Sequence, residues 1–437
     1  MEKKSIKTSG RPWMEFAVYC GFGSFMSLIG LTDEFKQQRK LMHQRMGTRA
    51  LASKFGEAVE LEARRLLLRT LKEPANVISH FKKTSRSAIL KVLYGYTSEP
   101  YKPDPLVELI QRTANQIEIA AVPFGQPIDI IPTLKYLPRS LGFRFQKLAQ
   151  EFETGVRNTI NVPYEFVKRQ MASGSHRPSF VSGLIEDTRA QTGADELTAE
   201  EGRLIQWSAG ALYLAGADST MTVLTNFLLS MVLHPEVQRK AQEEIDRVTG
   251  GSRLPRLEDR ENLPYVEAIA TETLRWCPVA ALAFPHLADE DIAYGGYLIP
   301  KNAIIFSSTW WLTHDPEIYQ DPNSFAPERY MEPRNEADPR KWVYGYGRRV
   351  CPGRHLAEDM FFLSMVNILS VYNIGKAVDQ QGKEITPEIN VTPGIVSQQQ
   401  EFPYKITPRS EEHAELLRKM DPDSWDECDA ELLEGLN

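Results

Sequence analysis

The segment 344–353 surrounds one cysteine, Cys351, with glycines, aromatic rings and two adjacent arginines, and an apolar helix is predicted from His355 onward. Glycine permits positive φ and a close approach of the backbone to a flat ligand. Backbone N–H groups near a helix start and nearby guanidinium groups stabilise a thiolate and lower its pKa. An isolated cysteine is more often a small buried apolar residue. The whole pattern favours a functional thiolate at Cys351 instead.

A second segment of interest runs from Leu204 to Leu233 and carries one formal charge, Asp218. Its length is sufficient to cross a membrane, so a membrane-spanning helix is one alternative. No other segment of similar character exists to accompany it. The sequence therefore favours a long helix through the middle of a large core, apolar on every side. A lone acid in such a helix is predicted to be buried and to have a function.

Composition excludes several other classes of protein. The chain of 437 residues is 42% hydrophobic and 25% charged, which is typical of a globular protein with a sizeable core. Its net charge of −7 argues against a nucleic-acid-binding protein. The cysteines are far apart and form no CxxC pair, so we expect neither a disulfide framework nor a zinc ribbon. They are Cys20, Cys277, Cys351 and Cys428.

Most of the sequence around these residues has the hydrophobic periodicity of helices, which must position them. It predicts amphipathic helices over Phe55–Leu71, Glu236–Val248 and Leu263–Trp276. Arg64, Arg65 and Arg69 are predicted on the polar side of the first of them. Short strand signals lie at Ala293–Ile299, Ala303–Ser307 and Phe402–Ile406. The chain is acidic from Glu411 to Glu434, which predicts a helix followed by a solvated end.

The cysteine segment resembles the haem-thiolate loop of the cytochrome P450 family, Phe-x-x-Gly-x-Arg-x-Cys-x-Gly, with Tyr344 in place of the phenylalanine. The resemblance implies a heme b cofactor with the Cys351 thiolate as its axial iron ligand. It also implies that Arg349 pairs with a haem propionate. Gly347 and Gly353 would shape the turn.

Three charged residues match further segments of the family. Glu272 and Arg275 form its Glu-x-x-Arg, and Arg329 lies in a segment that looks like its Pro-Glu-Arg. The resemblance implies a buried charge network with a structural role on the haem side of the core. Such a network stabilises a protein only if every charge is hydrogen-bonded.

The long apolar segment contains Ala-Gly-Ala-Asp-Ser-Thr at 215–220, which resembles the family's oxygen-activating Ala-Gly-x-(Asp/Glu)-Thr-Thr. A glycine inside a helix costs about 1 kcal/mol relative to alanine, so we expect Gly216 to allow a local widening that makes room for dioxygen. Asp218 would relay protons toward the bound oxygen, helped by the adjacent hydroxyl. Ser219, followed by Thr220, occupies the position of the usual threonine and lacks its β-branch.

The haem rim is predicted from two weaker matches. Phe35 and Arg39 resemble the family's Trp-x-x-x-Arg, so Arg39 would contact a propionate while Phe35 cannot donate a hydrogen bond. His286 lies where the family often has a propionate-binding residue. A basic face of Lys36, Lys40, Arg348 and Arg354 would suit an acidic electron donor.

The resemblance runs from about residue 3 to 409 and is closest to fungal membrane-associated members of specialised metabolism. It predicts a fold that is mainly α with minor β. We expect one haem domain over 1–410 and an acidic tail over 411–437. Relative to the family, the chain is expected to lack the amino-terminal membrane anchor and the first sheet strands, which would leave bare apolar surface. The endoplasmic reticulum surface is the implied location, with the cytoplasm as the alternative.

The implied function is a monooxygenase that inserts one atom of O2 into a hydrophobic small molecule, with release of the other atom as water. Electrons would come from NADPH through a flavoprotein reductase, because no dinucleotide-binding fingerprint is present. The substrate pocket is expected at 16–31, near Ala215, at 279–283 and at 395–396. The alternative is a truncated, non-catalytic haem-binding pseudoenzyme.

Overall fold

The structure is a computed structural model that describes residues 1, 3–122, 124–420 and 427–436. Its α-helices are α1 (Glu15–Tyr19), α2 (Asp33–Met46), α3 (Arg49–Ala52), α4 (Gly56–Lys72), α5 (Val77–Tyr94), α6 (Pro105–Ala120), α7 (Pro127–Ile130), α8 (Arg144–Ala172), α9 (Phe180–Thr192), α10 (Ala199–Leu233), α11 (Pro235–Thr249), α12 (Pro264–Trp276), α13 (Thr309–His314), α14 (Arg340–Val343), α15 (Arg354–Val371) and α16 (Glu411–Arg418). The fold is mainly α with minor β, as the sequence predicts.

The strands are short and pair antiparallel in two-stranded sheets. They are β1 (His286–Leu287), β2 (Ile292–Tyr294), β3 (Tyr297–Ile299), β4 (Ile304–Ile305), β5 (Tyr372–Gly375), β6 (Ala377–Val378), β7 (Glu384–Ile385) and β8 (Lys405–Pro408). The pairs are β1 with β4, β2 with β3, β5 with β8 and β6 with β7. The single strand predicted over 293–299 is wrong, because Gly295 and Gly296 take positive φ and turn the chain into the β2–β3 hairpin.

Helix α10 forms the centre of the molecule and packs against α2, α5, α8 and α15. Its start is fixed by Thr198, whose hydroxyl accepts from the N–H of Glu201 while the Glu201 carboxylate accepts from the N–H of Thr198. Most of its side chains are buried. Among the residues that the structure describes, no helix is both long and apolar enough to cross a membrane. The core interpretation of 204–233 is thus confirmed, and the membrane-spanning alternative is wrong.

The other helix predictions are close to the observed boundaries, with one error in a helix face. Helix α4 buries Arg65 and Arg69, which are 1% and 5% exposed, instead of presenting them on a polar side. Both guanidinium groups lie against the buried carboxylate of Glu62. Helical spacing identified the helix but not its buried face, because a charged side chain can be buried together with an oppositely charged partner on the same face.

The carboxy-terminal segment returns to the body of the protein. Helix α16 buries Ala414 and Leu417. Asp429 is 4% exposed and accepts hydrogen bonds from the N–H of Thr97 and from the Arg177 guanidinium. The expectation of a solvated end is therefore wrong at Asp429, because that carboxylate is bound by two donors from the body.

Aromatic residues are exposed beside the β1–β4 sheet. Phe306, Trp310 and Trp311 are each about half exposed. Beside β1, Gly10 forms an antiparallel bridge with Leu287, so the amino-terminal segment occupies the next position at that sheet edge.

Candidate active site

The cysteine loop is a tight turn closed by the backbone. The N–H of Cys351 donates to the carbonyl of Tyr344 at 2.7 Å. Gly345 and Gly347 have φ of 78° and 50°, so this turn requires residues that tolerate the left-handed region. Gly353 has φ of −91°, which other residues also adopt, and a Cβ there would meet no protein atom within 4 Å, so the shaping of the turn by Gly353 stays a prediction.

Gly353 acts on the sulfur in a different way. Its backbone hydrogen bond and the charges of Arg39 and Arg354 lower the pKa of Cys351, while burial raises the pKa and is the larger effect. The predicted lowering of the Cys351 pKa by backbone N–H and arginine groups is present, but burial outweighs it. A metal ion bonded to the sulfur would supply the charge that keeps it deprotonated.

Cys351 lies at one cavity of about 340 Å³ between α2, α6, α10, the loop before β1 and the cysteine loop. This cavity brings together most of the residues that the sequence predicts for the site. They are Phe35, Arg39, Asp218, Ser219, Thr220, His286, Arg349 and Cys351. Gly216, Gly347 and Gly353 are not among the lining residues. Of the pocket segments expected from the sequence, 16–31 contributes only through residues 25–28. Ala215, residues of 279–283, and 395–396 also contribute, and the walls are mostly apolar.

Three guanidinium groups, those of Arg11, Arg39 and Arg349, form a positive wall of this cavity. Among the described residues, none of the three has a carboxylate within 4.0 Å. Arg349 donates to the carbonyls of Ser9, Met26 and Ile29, and Arg11 donates to those of Ser27, Phe284 and Pro285. Burial lowers the pKa of Arg349 to about 9 and that of Arg11 to about 10. Their hydrogen bonds to the protein are made with backbone carbonyls.

Phe35 and His286 complete this wall. The Arg349 guanidinium lies 3.9 Å from the centroid of the Phe35 ring and forms a cation–π contact with it. A ring nitrogen of His286 hydrogen-bonds with the carbonyl of Thr8. Burial, with the charge of Arg11 next, lowers the pKa of His286 to about 4. Arg39 donates from one terminal nitrogen to the Val350 carbonyl at 2.7 Å and so holds the cysteine loop.

The cavity fits haem on this chemistry. Positive charges without carboxylate partners at one side require an anion, and the two propionates of haem supply two carboxylates. The apolar walls suit the porphyrin plane, and among the described residues Cys351 is the one cysteine that lines the cavity. These residues match the group that the sequence resemblance implies.

The residues predicted for oxygen activation lie on α10 at the opposite wall. The buried Asp218 carboxylate accepts from the Arg86 guanidinium of α5 through Oδ1 at 2.6 Å, so its charge is paired. The Ser219 hydroxyl donates to the carbonyl of Ala215 at 3.0 Å. Thr220 is buried and also lines the cavity.

Gly216 serves packing instead of widening the helix. Helix α10 is α-helical without interruption from Ala199 to Leu233. A Cβ at Gly216 would lie 3.1 Å from the Cδ1 and Cγ1 atoms of Ile89, and the Ser85 hydroxyl donates to the Gly216 carbonyl. The predicted widening is therefore wrong in this structure, because the helix is continuous, and the missing Cβ instead allows the Ile89 side chain of α5 to approach closely.

The charge network predicted around Glu272 is present and fully buried. Arg275 donates from Nε and one terminal nitrogen to the two carboxylate oxygens, each at 2.8 Å, and Arg329 Nε donates at 2.9 Å. The N–H of Ala326 and the hydroxyl of Tyr330 donate to the same carboxylate. All three charged side chains are 0% exposed.

Sequence reasoning missed two residues at the site. Arg11 follows a basic segment with no periodicity, and nothing in the sequence signals its contact with 284–285. Arg86 is one of several cations on α5. The lone charge of Asp218 signals that a buried partner exists, but the sequence does not identify which cation of the chain provides it.

Comparison with known proteins identifies the family. The model of the family "Cytochrome P450" matches residues 5–406. The chain belongs to the cytochrome P450 family. It is 43% identical to the cytochrome P450 monooxygenase CLM2 of Gibberella zeae over 99% of this chain and 83% of that protein. It is 40% identical to the multifunctional cytochrome P450 monooxygenase af510 of Aspergillus fumigatus, over 96% of this chain and 79% of that protein.

A solved cytochrome P450 of zebra fish with progesterone agrees with the fold. It has a TM-score of 0.74 and 23% identity, and the match covers 93% of this chain and 90% of that one. The resemblance to fungal cytochrome P450 enzymes of secondary metabolism is confirmed. This chain is a cytochrome P450 monooxygenase, and its family uses haem with a cysteine thiolate ligand, a redox partner, O2 and a hydrophobic substrate.

Proposed function

We propose that this cytochrome P450 inserts one atom of O2 into an apolar small molecule of fungal secondary metabolism. Heme b is the proposed cofactor, and NADPH, through a flavoprotein reductase, is the proposed electron source. One observation carries the proposal: Cys351 and three guanidinium groups without carboxylate partners surround a single, mostly apolar cavity.

The proposed cofactor contacts follow from the two sides of the cavity. The Cys351 sulfur would bind the haem iron, and the amide of Gly353 donates to this sulfur. Arg11, Arg349 and the neutral His286 face the propionates, while Arg39 supports the cysteine loop. When bound, haem supplies reductive activation of O2, with one oxygen atom going to the substrate and the other leaving as water.

The proposed proton path uses residues of α10. Arg86 holds Asp218 through Oδ1, so Oδ2 is the oxygen available to carry a proton. In the proposal, Asp218 delivers protons toward the oxygen-binding side of the cavity. The hydroxyls of Ser219 and Thr220 orient the proton carrier there. The Ser219 hydroxyl must first give up its bond to Ala215.

The proposed surroundings of the enzyme rest on family resemblance. Exposed Lys36, Lys40 and Arg348, with the half-buried Arg354, would meet an acidic reductase at the endoplasmic reticulum surface. Residues 1–410 would form the haem domain and residues 411–437 an acidic tail.

The test of the proposal is optical and catalytic. The reduced protein under carbon monoxide is expected to give the Soret band of a thiolate-ligated haem. Cys351→Ala should abolish it, and Cys428→Ala, a control at a thiol that hydrogen-bonds with Glu99, should leave it unchanged. An unchanged pigment and turnover in Cys351→Ala would refute the assignment.

Reconstitution with a reductase and NADPH separates the enzyme from the alternative, a haem-binding pseudoenzyme. The enzyme consumes NADPH and O2 and oxidises an added apolar compound. A protein that shows the thiolate band but transfers no electron from the reductase would be the pseudoenzyme.

A further inference from the structure

The carboxy-terminal segment 427–436 joins parts of the protein that are far apart in the sequence. Asp429 pairs with Thr97 in both directions: the N–H of Thr97 donates to its Oδ2 at 2.7 Å, and its own N–H donates to the carbonyl of Thr97 at 2.8 Å. Arg177, in the loop between α8 and α9, donates to the same Oδ2 at 2.6 Å and to the carbonyl of Gly95. One buried carboxylate therefore connects three segments of the chain.

The other half of this segment is attached to α8. Arg169, near the end of α8, donates to two of its backbone carbonyls at 3.4 and 2.9 Å. Leu433 and Leu436 pack against the hydrophobic core. We call residues 427–436 the strap, because they bind the connection 95–104 between α5 and α6 at one end and α8 at the other.

The connection 95–104 determines how α6 begins. Asp104 caps this helix, since its Oδ1 accepts from two N–H groups of the first turn at 3.0 and 3.1 Å. Its Oδ2 accepts from the N–H of Glu99 at 3.0 Å. The strap contacts the same connection twice, at Thr97 and at the Glu99 carboxylate, which accepts from the Cys428 thiol at 3.1 Å. Release of the strap would thus loosen the start of α6.

Helix α6 is the wall of the cavity that can move at low cost. It lines the cavity with Ala114 and Ile117 and packs against α8, but a minority of its side chains is buried, whereas most of those of α10 are. The volume of about 340 Å³ lies at the lower end of the roughly 300–1,000 Å³ of a site for one small molecule. The proposed function places both haem and a substrate in it, so a wall has to move outward.

We propose that the strap restrains the outward movement of α6 and thereby limits the rate at which substrate enters the cavity. This inference rests on the proposed function, because it supposes that haem and a substrate share the cavity. While docked, the strap holds the start of α6 and the end of α8 together; once released, it leaves α6 free to move away from α10. Asp429 and Arg169 are positioning residues, and neither lines the cavity.

Hydrogen–deuterium exchange of the whole chain, with and without haem, measures the restraint. Asp429→Asn removes the charge that binds Arg177, and Arg169→Leu removes the hydrogen bonds at the other end of the strap. Each variant is expected to accelerate exchange at 95–104 and in the first turns of α6 by about tenfold, the scale of one lost hydrogen bond.

Two matched controls should keep the wild-type exchange rates. Glu431→Gln changes an exposed acid of the strap itself, and Lys168→Leu changes the exposed cation next to Arg169 on α8. Lys168 pairs with Glu165 of its own helix and not with the strap. Their behaviour separates release of the strap from a loss of surface charge.

The rate of ligand entry is measured on the haem-loaded protein by stopped flow, from the Soret shift when an azole binds the iron. Clotrimazole is bulky and needs the α6 wall to move, whereas imidazole is small enough to enter without it. Asp429→Asn and Arg169→Leu are expected to bind clotrimazole about fivefold faster, because a restraint on the scale of one hydrogen bond is removed. Imidazole should bind at the wild-type rate.

Three results would overturn the inference. They are unchanged exchange in α6 of both variants, accelerated exchange with wild-type clotrimazole rates, and an equal acceleration for clotrimazole and imidazole, which would mean a general loosening of the protein. A wild-type protein without the thiolate-type carbon monoxide spectrum would instead refute the proposed function. Exchange in the haem-free protein would then still decide whether the strap restrains α6.

Discussion

Replacing Glu272 with glutamine tests the buried charge network most directly. The substitution keeps the shape of the side chain but removes the negative charge between two fully buried guanidinium groups. Arg329 keeps a second carboxylate, Glu336 at 2.6 Å. Arg275 keeps the backbone carbonyls of Thr313, Pro322 and Ser324 as acceptors but loses its carboxylate partner. The uncompensated charge is therefore that of Arg275.

Breaking one partner of a buried ion pair costs about 3–5 kcal/mol. That is a large share of the roughly 5–15 kcal/mol by which a folded protein is stable. With a urea m value of about 3–4 kcal/mol/M for a chain of this size, the unfolding midpoint is expected to fall by roughly 1 M. The measurement is urea unfolding followed by far-ultraviolet circular dichroism.

Two further variants make the result specific to the network. Glu272→Gln with Arg275→Met should cost less than the sum of the single changes, because the double variant no longer strands a charge. Glu243→Gln removes the partner of an exposed pair with Arg239 and should change stability by at most about 0.5 kcal/mol. A midpoint for Glu272→Gln that coincides with that of Glu243→Gln would refute the reasoning.

Three other predictions concern the cofactor, the proton path and the tail. Arg11→Leu should weaken haem binding about tenfold in titrations of haem-free protein, because a charge-assisted contact is lost. The exposed control Arg239→Leu should leave the affinity unchanged, and an unchanged affinity in Arg11→Leu would contradict the prediction. Asp218→Asn should lower the amount of product formed per NADPH consumed while leaving the carbon monoxide spectrum intact. An unchanged ratio of product to NADPH would show that Asp218 is not part of the proton path. Asp429→Asn should cost about 1–3 kcal/mol in urea unfolding, because Arg177 loses its buried acceptor; no change would mean that the segment is not docked in solution.

The spacing of residues in the sequence was sufficient to predict those parts of the site whose residues lie close together in the chain. The cysteine loop closes on itself between Tyr344 and Cys351, and Glu272 lies three residues from Arg275 on one helix. Periodicity also identified α4, α11 and α12 within a few residues, because each has a continuous apolar face. Contacts between residues three or four positions apart follow from helical geometry, so the sequence spacing predicts them.

Contacts between distant segments were not predictable in the same way. Asp218 and Arg86 are 132 residues apart, and Arg349 binds carbonyls more than 300 residues away. The acidic run after Glu411 suggested a solvated end, although Asp429 is bound by Thr97 and Arg177. In each case the charge was visible in the sequence, but its partner was set by the packing of helices.

The positive wall links folding to cofactor binding. The groups of Arg11 and Arg349 are desolvated strongly enough to lower their pKa values, and backbone dipoles compensate a full charge only in part. A dianion bound there would remove that cost, and ligand binding to the folded state alone stabilises it by about 2.7 kcal/mol at one hundred times the dissociation constant. The amino-terminal segment that carries Arg11 contacts the β1 edge through Gly10. Binding of the cofactor and docking of this segment are therefore expected to reinforce each other, because the same guanidinium group takes part in both.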